Sequence, residues 1–237
     1  MKERLRNYYK TVSRRYPFIG YLVRRFYYRK PFNKIKRKIN GANNSIIHNK
    51  AILSSVVFDI SGNENTIHIL DDCILTDVVF YIRGDGHRIL INSGCRFNRG
   101  GSIWFEDNGC SLSIGENSTF EYVHIALTEP NSIITIGQDC MFAYDIDVRT
   151  GDSHSIILKE SNERINYAED ISIGNHVWVA AHCILLKGCI IPDDSIIATG
   201  SVVTKQYAST GIIIAGNPAK QVKNGITWSR KRIYKTS

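Results

Sequence analysis

With 237 residues, 43% of them hydrophobic, the chain suffices for one substantial folded domain, which excludes a wholly disordered protein. The formal net charge of +8 is not an average property: residues 1–38 hold fourteen Lys or Arg against one acid, Glu3, so the remainder, at 8 − 13 = −5, is mildly acidic. No apolar run approaches the ~18–20 residues of a spanning helix, and residues 1–38 lack the apolar core of a secretory signal. The expectation is a cytoplasmic protein, with peripheral contact at the inner face of the membrane if its basic segment meets lipid.

Residues 1–39 form a basic, aromatic unit. Leu5, Tyr8, Tyr9, Val12, Tyr16, Ile19, Leu22, Val23 and Phe26 recur at helical spacing, and Pro17 suits a break or a second helix start. One reading is a helical cap over the open end of a repeat stack. The other is attachment to anionic lipid or an acidic glycan. The segment offers no recognisable nucleic-acid module, so no nucleic-acid partner is expected.

From residue 40 the chain is a repeat. Ile67-x-Ile69, Ile89-x-Ile91, Leu112-x-Ile114 and Ile134-x-Ile136 recur at spacings of 22, 23 and 22 residues. A small residue follows four places after the second member: Cys73, Cys95, Ser118 and Cys140. Each phrase reads as one coil with a short excursion. Five of the six cysteines (Cys73, Cys95, Cys140, Cys183 and Cys189) occupy this small position, so they read as packed, reduced side chains; Cys110 falls outside it, and a nucleophilic role is not expected of any.

The next equivalent phrase, Ile171-x-Ile173, comes 37 residues after Ile136, which places an extra loop in 149–170. His154 lies near its start, within RTGDSHSI. From the local string alone it is a turn residue, a metal ligand or a base. From Ile173 the period shortens to six: Ile173, Val179, Leu185, Ile191, Ile197 and Val203 are aliphatic, and Val177, Cys183, Cys189, Ser195 and Ser201 are small. Such a period means short straight segments joined by regular corners, with the aliphatic residue inward. His176 and His182 hold the fourth place of successive hexads and are read as stacking on successive rungs; with His48, His68, His87 and His124 on distant coils, no metal is expected.

The segments IGNHVWV (173–179), ATGSVVTK (198–205) and IIAGNPAKQVK (213–223) resemble the hexapeptide-repeat, left-handed β-helix acyltransferases. The likeness is to the maltose, galactoside and xenobiotic acetyltransferase branch and to sugar and capsular-polysaccharide O-acetyltransferases. It implies an all-β, left-handed parallel β-helix of about seven or eight coils over residues 40–205, with a C-terminal, coenzyme-A-proximal segment at 206–237. It further implies a homotrimer with active sites between subunits, and acetyl-CoA as co-substrate without a metal. His154 takes the place of the general base: an imidazole, with an ordinary pKa of ~6.5, can take a sugar hydroxyl's proton as it attacks a thioester. Asp152 either fixes the tautomer of His154 or serves as a turn residue, Gly-Asp-Ser being ordinary turn chemistry. Trp178 matches a tryptophan beside the thioester, and Ala180, Ala198, Lys205 and Lys220 fall at coenzyme A positions. Tyr144, Asp145 and Asp147 are residue types suited to a sugar acceptor. Where relatives often carry IGG or IGA after VW, this chain has VAAH (179–182), and a slight alteration of the pantetheine channel by the bulk of Ala180 is the expectation.

The function expected is O-acetyl transfer from acetyl-CoA to a sugar hydroxyl of a bacterial surface polysaccharide or its precursor. The alternatives are a nucleotide-sugar N-acetyltransferase and a non-catalytic or metal-dependent β-helix protein.

Overall fold

A computed structural model describes residues 35–234, and the strands in it form a three-sided parallel β-solenoid. No α-helix occurs among the described residues. The helical reading of the basic segment falls on residues 1–34 and lies outside them.

Three sheets of eight, seven and nine strands make the faces of the prism, here sheets 1, 2 and 3. One coil takes a strand from each in turn, as in Val57–Ser61, Thr66–Ile69 and Ile74–Thr76. Neighbouring coils exchange backbone hydrogen bonds in both directions, at the ~4.8 Å spacing of paired strands. The first strand, Lys36–Asn40, pairs with Val57–Ser61, so coiling begins ahead of the expected start at residue 40. At the other end Ile213–Gly216 still pairs in parallel with Ile196–Ile197, so sheet 3 continues past residue 205. Ala219–Lys223 then folds back antiparallel on it. This hairpin covers the edge of sheet 3 that would otherwise offer a free row of donors and acceptors.

The inward column is the aliphatic set of the hexads. Ile173, Val179, Leu185, Ile191, Ile197 and Val203 are all at most 1% exposed, and the small partners Val177, Cys183, Cys189, Ser195 and Ser201 fill the corners beside them. In the upstream coils the same column carries aromatics. Phe97, Phe120 and Phe142 stack in sheet 3 with centroids 4.4 and 4.8 Å apart.

Four or five extra residues per upstream coil lie at the corner from sheet 1 to sheet 2. There Asn63, Asp85 and Asn108 each accept a hydrogen bond from the backbone N–H of the preceding coil, through Oδ1. Gly84 at the same corner has φ +109°, and a Cβ there would sit 1.5 Å from the Asp107 carbonyl oxygen, so only glycine fits. The buried His87 belongs to this ladder. Its Nδ1 accepts from the Cys110 N–H, which leaves the Nε2 proton to donate to the Arg83 carbonyl, and burial lowers its pKa. His87 is therefore structural.

Phe120 sits between two stacked rings in a fully buried column, so Phe120→Ala removes contacts on both sides. A loss of about 3–5 kcal/mol is expected in chemical denaturation; a loss below about 1 kcal/mol would mean the phenylalanine ladder is not the spine of the upstream coils.

Candidate active site

The insertion leaves the prism after Ile146–Arg149 of sheet 1 and returns at Ile171–Ile173 of sheet 2. It folds as a small hairpin, with Ile157 bridging Arg164 in antiparallel fashion and the Leu158 N–H donating to Glu163 O. Ile156, Ile157, Leu158, Ile165 and Tyr167 are all exposed on it. His154 stands exposed on the outgoing limb.

The loop is held by Asn166, which is 7% exposed. Its Nδ2 donates to the His154 carbonyl (2.7 Å) and to Asp152 Oδ2 (2.9 Å), while its Oδ1 accepts from the Ile156 N–H (2.7 Å). One side chain thus fixes three alternate positions around the histidine. Lys187, from the next coil, donates to both Asp152 Oδ2 and the Asn166 carbonyl. Arg164 donates to Glu129 Oε1 and lies against the Tyr167 ring.

In this chain Asp152 is bonded elsewhere than to the His154 imidazole. Its carboxylate is bonded to Lys187 and Asn166, and the Lys187 ammonium holds its pKa below the ordinary carboxylate value. The nearest ammonium takes the acid because a charge-assisted bond outweighs a neutral one. Sequence reasoning missed Asn166, Lys187, Arg164 and Glu129. Their contacts join the loop's two limbs to neighbouring coils, and no periodic signal marks them.

A second cluster occupies the corner from sheet 3 to sheet 1. The alternation of Phe142, Val179 and Ile197 inward leaves Ala143, Ala180 and Ala198 at the turn, joined by Ala143 N–H to Val179 O and Ala180 N–H to Ile197 O. The Ala198 N–H donates in turn to Ile214 O, which places Ala215 next in line. The result is an edge with almost no side chain. Beside it Tyr144, 51% exposed, packs between Tyr122 and His182, with centroids 5.6 and 6.3 Å away. Asp145 Oδ2 is 2.8 Å from His182 Nδ1.

Asp147 is separated from that pair. It sits on the flat outer face of sheet 1, ion-paired with Arg149 and in register with His124. His124 is thus one coil from Asp147 and two coils from the Ile184–Leu185 strand that follows His182. Its Nδ1 contacts Ser102 Oγ, and burial lowers its pKa.

Trp178 projects from the outer face of sheet 3, between Met141 and Ile196 in register. Lys205 is exposed near the Tyr207 ring, and Lys220 is exposed on Ala219–Lys223. Burial pushes the Cys110 and Cys140 thiols up to about 11 and that of Cys189 up to about 12, against thiolate chemistry.

His176 and His182 do not stack on successive rungs. Ile173 pairs with Ile191, so one coil is 18 residues and a six-residue step only turns one corner. His176 stands between sheets 2 and 3 opposite Asp194 (2.8 Å), and His182 stands at the next corner. Among the described residues no group of His, Cys, Asp and Glu is placed to hold a metal.

Within one chain, then, the donor-side candidates Trp178, Ala180 and Ala198 lie at one corner or the face leading to it, and His154 at another. A strand of sheet 1 such as Ile146–Arg149 separates the corners, a span of roughly 13 Å at ~3.3 Å per residue.

No family model matches the chain. It is 34% identical over 197 residues to a polysialic acid O-acetyltransferase of Neisseria meningitidis, covering 83% of this chain and 90% of that one. Among solved structures, the polysialic acid O-acetyltransferase OatWY superposes with a TM-score of 0.78 at 30% identity, over 84% of this chain and 94% of that one. The polySia-specific acetyltransferase NeuO superposes with a TM-score of 0.75 at 29% identity, over 85% and 92%.

The Lys187–Asp152 pair gives the loop a defined acid limit. Because the folded pKa of Asp152 is depressed, the anchor is complete above the unfolded value of ~3.9 and is lost as pH falls through the lower folded value. Lys187→Met is expected to remove that protection already at neutral pH. Hydrogen exchange of the loop amides, normalised to intrinsic rates at each pH, measures this; unchanged protection in the variant would show that Asn166 and the Arg164–Glu129 pair hold the loop without Lys187.

Proposed function

The chain belongs to the hexapeptide-repeat family of sugar O-acetyltransferases, and from that premise we propose that it transfers an acetyl group from acetyl-CoA to a hydroxyl of a bacterial surface polysaccharide or its precursor. The observation that carries the reading is an exposed histidine, braced through its own backbone by Asn166, on the same prism as a bare alanine edge next to Trp178. Acyl-CoA is the co-substrate that the family implies, and the residues present fit it. The edge of Ala143, Ala180 and Ala198 lets an extended pantetheine arm approach the backbone. Trp178 would flank the thioester, and Lys205 and Lys220, both exposed, would meet its phosphates.

In this mechanism the acceptor hydroxyl attacks the thioester carbonyl while His154 takes its proton. The tetrahedral oxyanion collapses, the carbon–sulfur bond breaks, and the imidazolium returns the proton to the departing thiolate. No acyl-enzyme forms. Asn166 acts on this step as a positioning residue, since it holds the backbone of His154 and not its ring. Tyr144 and Asp145, with Tyr122 and His182 alongside, offer ring faces and acceptors for a pyranose.

The two half-sites on separate corners are joined in this reading by a second copy of the chain. The exposed apolar side chains Ile156, Ile157, Leu158, Ile165 and Tyr167 support a loop that packs against a neighbour, carrying His154 to that neighbour's alanine edge. A homotrimer closes such a heterologous contact into a ring. A cytoplasmic site of action belongs to the same proposal, as does a membrane-facing or glycan-facing role for residues 1–38. Polysialic acid is the first acceptor to try, because the relatives named above act on it.

The test follows thiol release from acetyl-CoA with polysialic acid and with neutral polysaccharides. Wild type is expected to release thiol in an acceptor-dependent way and to yield an alkali-labile ester. His154→Ala is expected to lose about 10²–10⁴ in rate while folding and assembling as wild type does. Unchanged turnover in folded His154→Ala, or an alkali-stable product, would sink the mechanism or the O-acetyl assignment respectively.

A further inference from the structure

We propose that Trp228 is a positioning residue for Trp178, held in place by a C-terminal strap that climbs the corner between sheets 2 and 3. The inference rests on the reading of Trp178 as the tryptophan beside the thioester.

The strap is built one contact per coil. Thr227 donates from Oγ1 to Asp194 Oδ1 at 3.0 Å. Trp228, 8% exposed, donates from Nε1 to the His176 carbonyl at 2.6 Å and lays its indole on the His176 imidazole, with centroids 4.2 Å apart and planes 11° from parallel. Arg230 reaches the two preceding coils. It donates to Asp139 Oδ1 (3.0 Å), to the Cys140 carbonyl (2.9 Å) and to Thr119 Oγ1 (2.8 Å). Its guanidinium also lies 5.5 Å from the Trp228 ring.

The outcome is a second wall for Trp178. That ring stands between Met141 and Ile196 within the sheet, and Trp228 closes on it with a centroid distance of 6.1 Å. Trp178 projects from a strand of only two residues, Trp178–Val179. A segment fifty residues away in sequence commits a buried indole, a cation and a hydroxyl at this one place, donating to the five acceptors named above on the coils. A C-terminal tail serving only as a cap over the last coil would have no reason to run back over four coils.

The measurement is the KM for acetyl-CoA and the KM for acceptor, with kcat, in wild type, Trp178→Phe, Trp228→Ala, Trp228→Phe and Arg230→Ala. Trp228→Ala is expected to raise the acetyl-CoA KM by about tenfold, on the scale of a misplaced contact group, and to leave the acceptor KM unchanged. Trp228→Phe, which keeps a flat ring against both neighbours, should recover most of that loss, and Arg230→Ala should fall between. Should Trp228→Ala not fold, Trp228→Phe against Arg230→Ala decides the matter. Native acetyl-CoA KM in the Trp228 and Arg230 variants, with Trp178→Phe impaired, would overturn the positioning role alone. Native behaviour in Trp178→Phe would overturn it together with the reading of Trp178 on which it rests.

Discussion

Everything in this molecule depends on coil-to-coil backbone pairing. Each coil satisfies the N–H and C=O groups of the next, so the position of any residue is fixed by its count within the coil and by which coil it joins. A solenoid built this way tolerates extra residues only where they can leave the stack and return without breaking the register. The upstream coils place their surplus at the corner between sheets 1 and 2, where Asn63, Asp85 and Asn108 rebuild the ladder with side-chain oxygens. The one large insertion uses the same corner. A projecting loop there leaves Val148 paired with Leu185 on one side and Ile136 paired with Ile173 on the other.

Once outside the stack, the loop must supply its own order. Asn166 does so by standing in for a strand: its two amide ends bond at positions 152, 154 and 156, the alternation that a paired strand would offer. Lys187 and Arg164 add charge-assisted ties to the neighbouring coils through Asp152 and Glu129. Asn166 ties the backbone of His154 and not its ring, which suits the proton transfer proposed for it.

The inward positions were legible in the sequence because burial imposes a strict period. Ile173, Val179, Leu185 and their successors could be counted off, and so could Cys73, Cys95, Cys140, Cys183 and Cys189 as corner residues. Outward positions carry no such period. His176 and His182 were misplaced because a hexad count gives the face of the prism but three hexads are needed to return to the same corner. His124 is a register neighbour of Asp147 because the 22–23-residue spacing is one coil. Asp152 looked like a partner for His154 by proximity in the chain, and electrostatics assigned it to Lys187, 35 residues on. The contacts of Asn166, Trp228 and Arg230 lie in non-repeating segments, where a sequence offers residue type without address.

The prism also constrains how catalysis can be organised. A triangular coil puts its corners a strand apart, and no side chain on a rigid sheet spans that distance. With the proposed base at one corner and a bare backbone edge at another, the proposed site unites them across two copies. In the proposed assembly the exposed apolar face of the insertion is the surface through which one copy would complete another's site. In the proposed trimer the stability of the assembly and the geometry of the reaction are one property, because the hairpin that would bury Ile156, Ile157 and Leu158 against a neighbour is the one that carries His154.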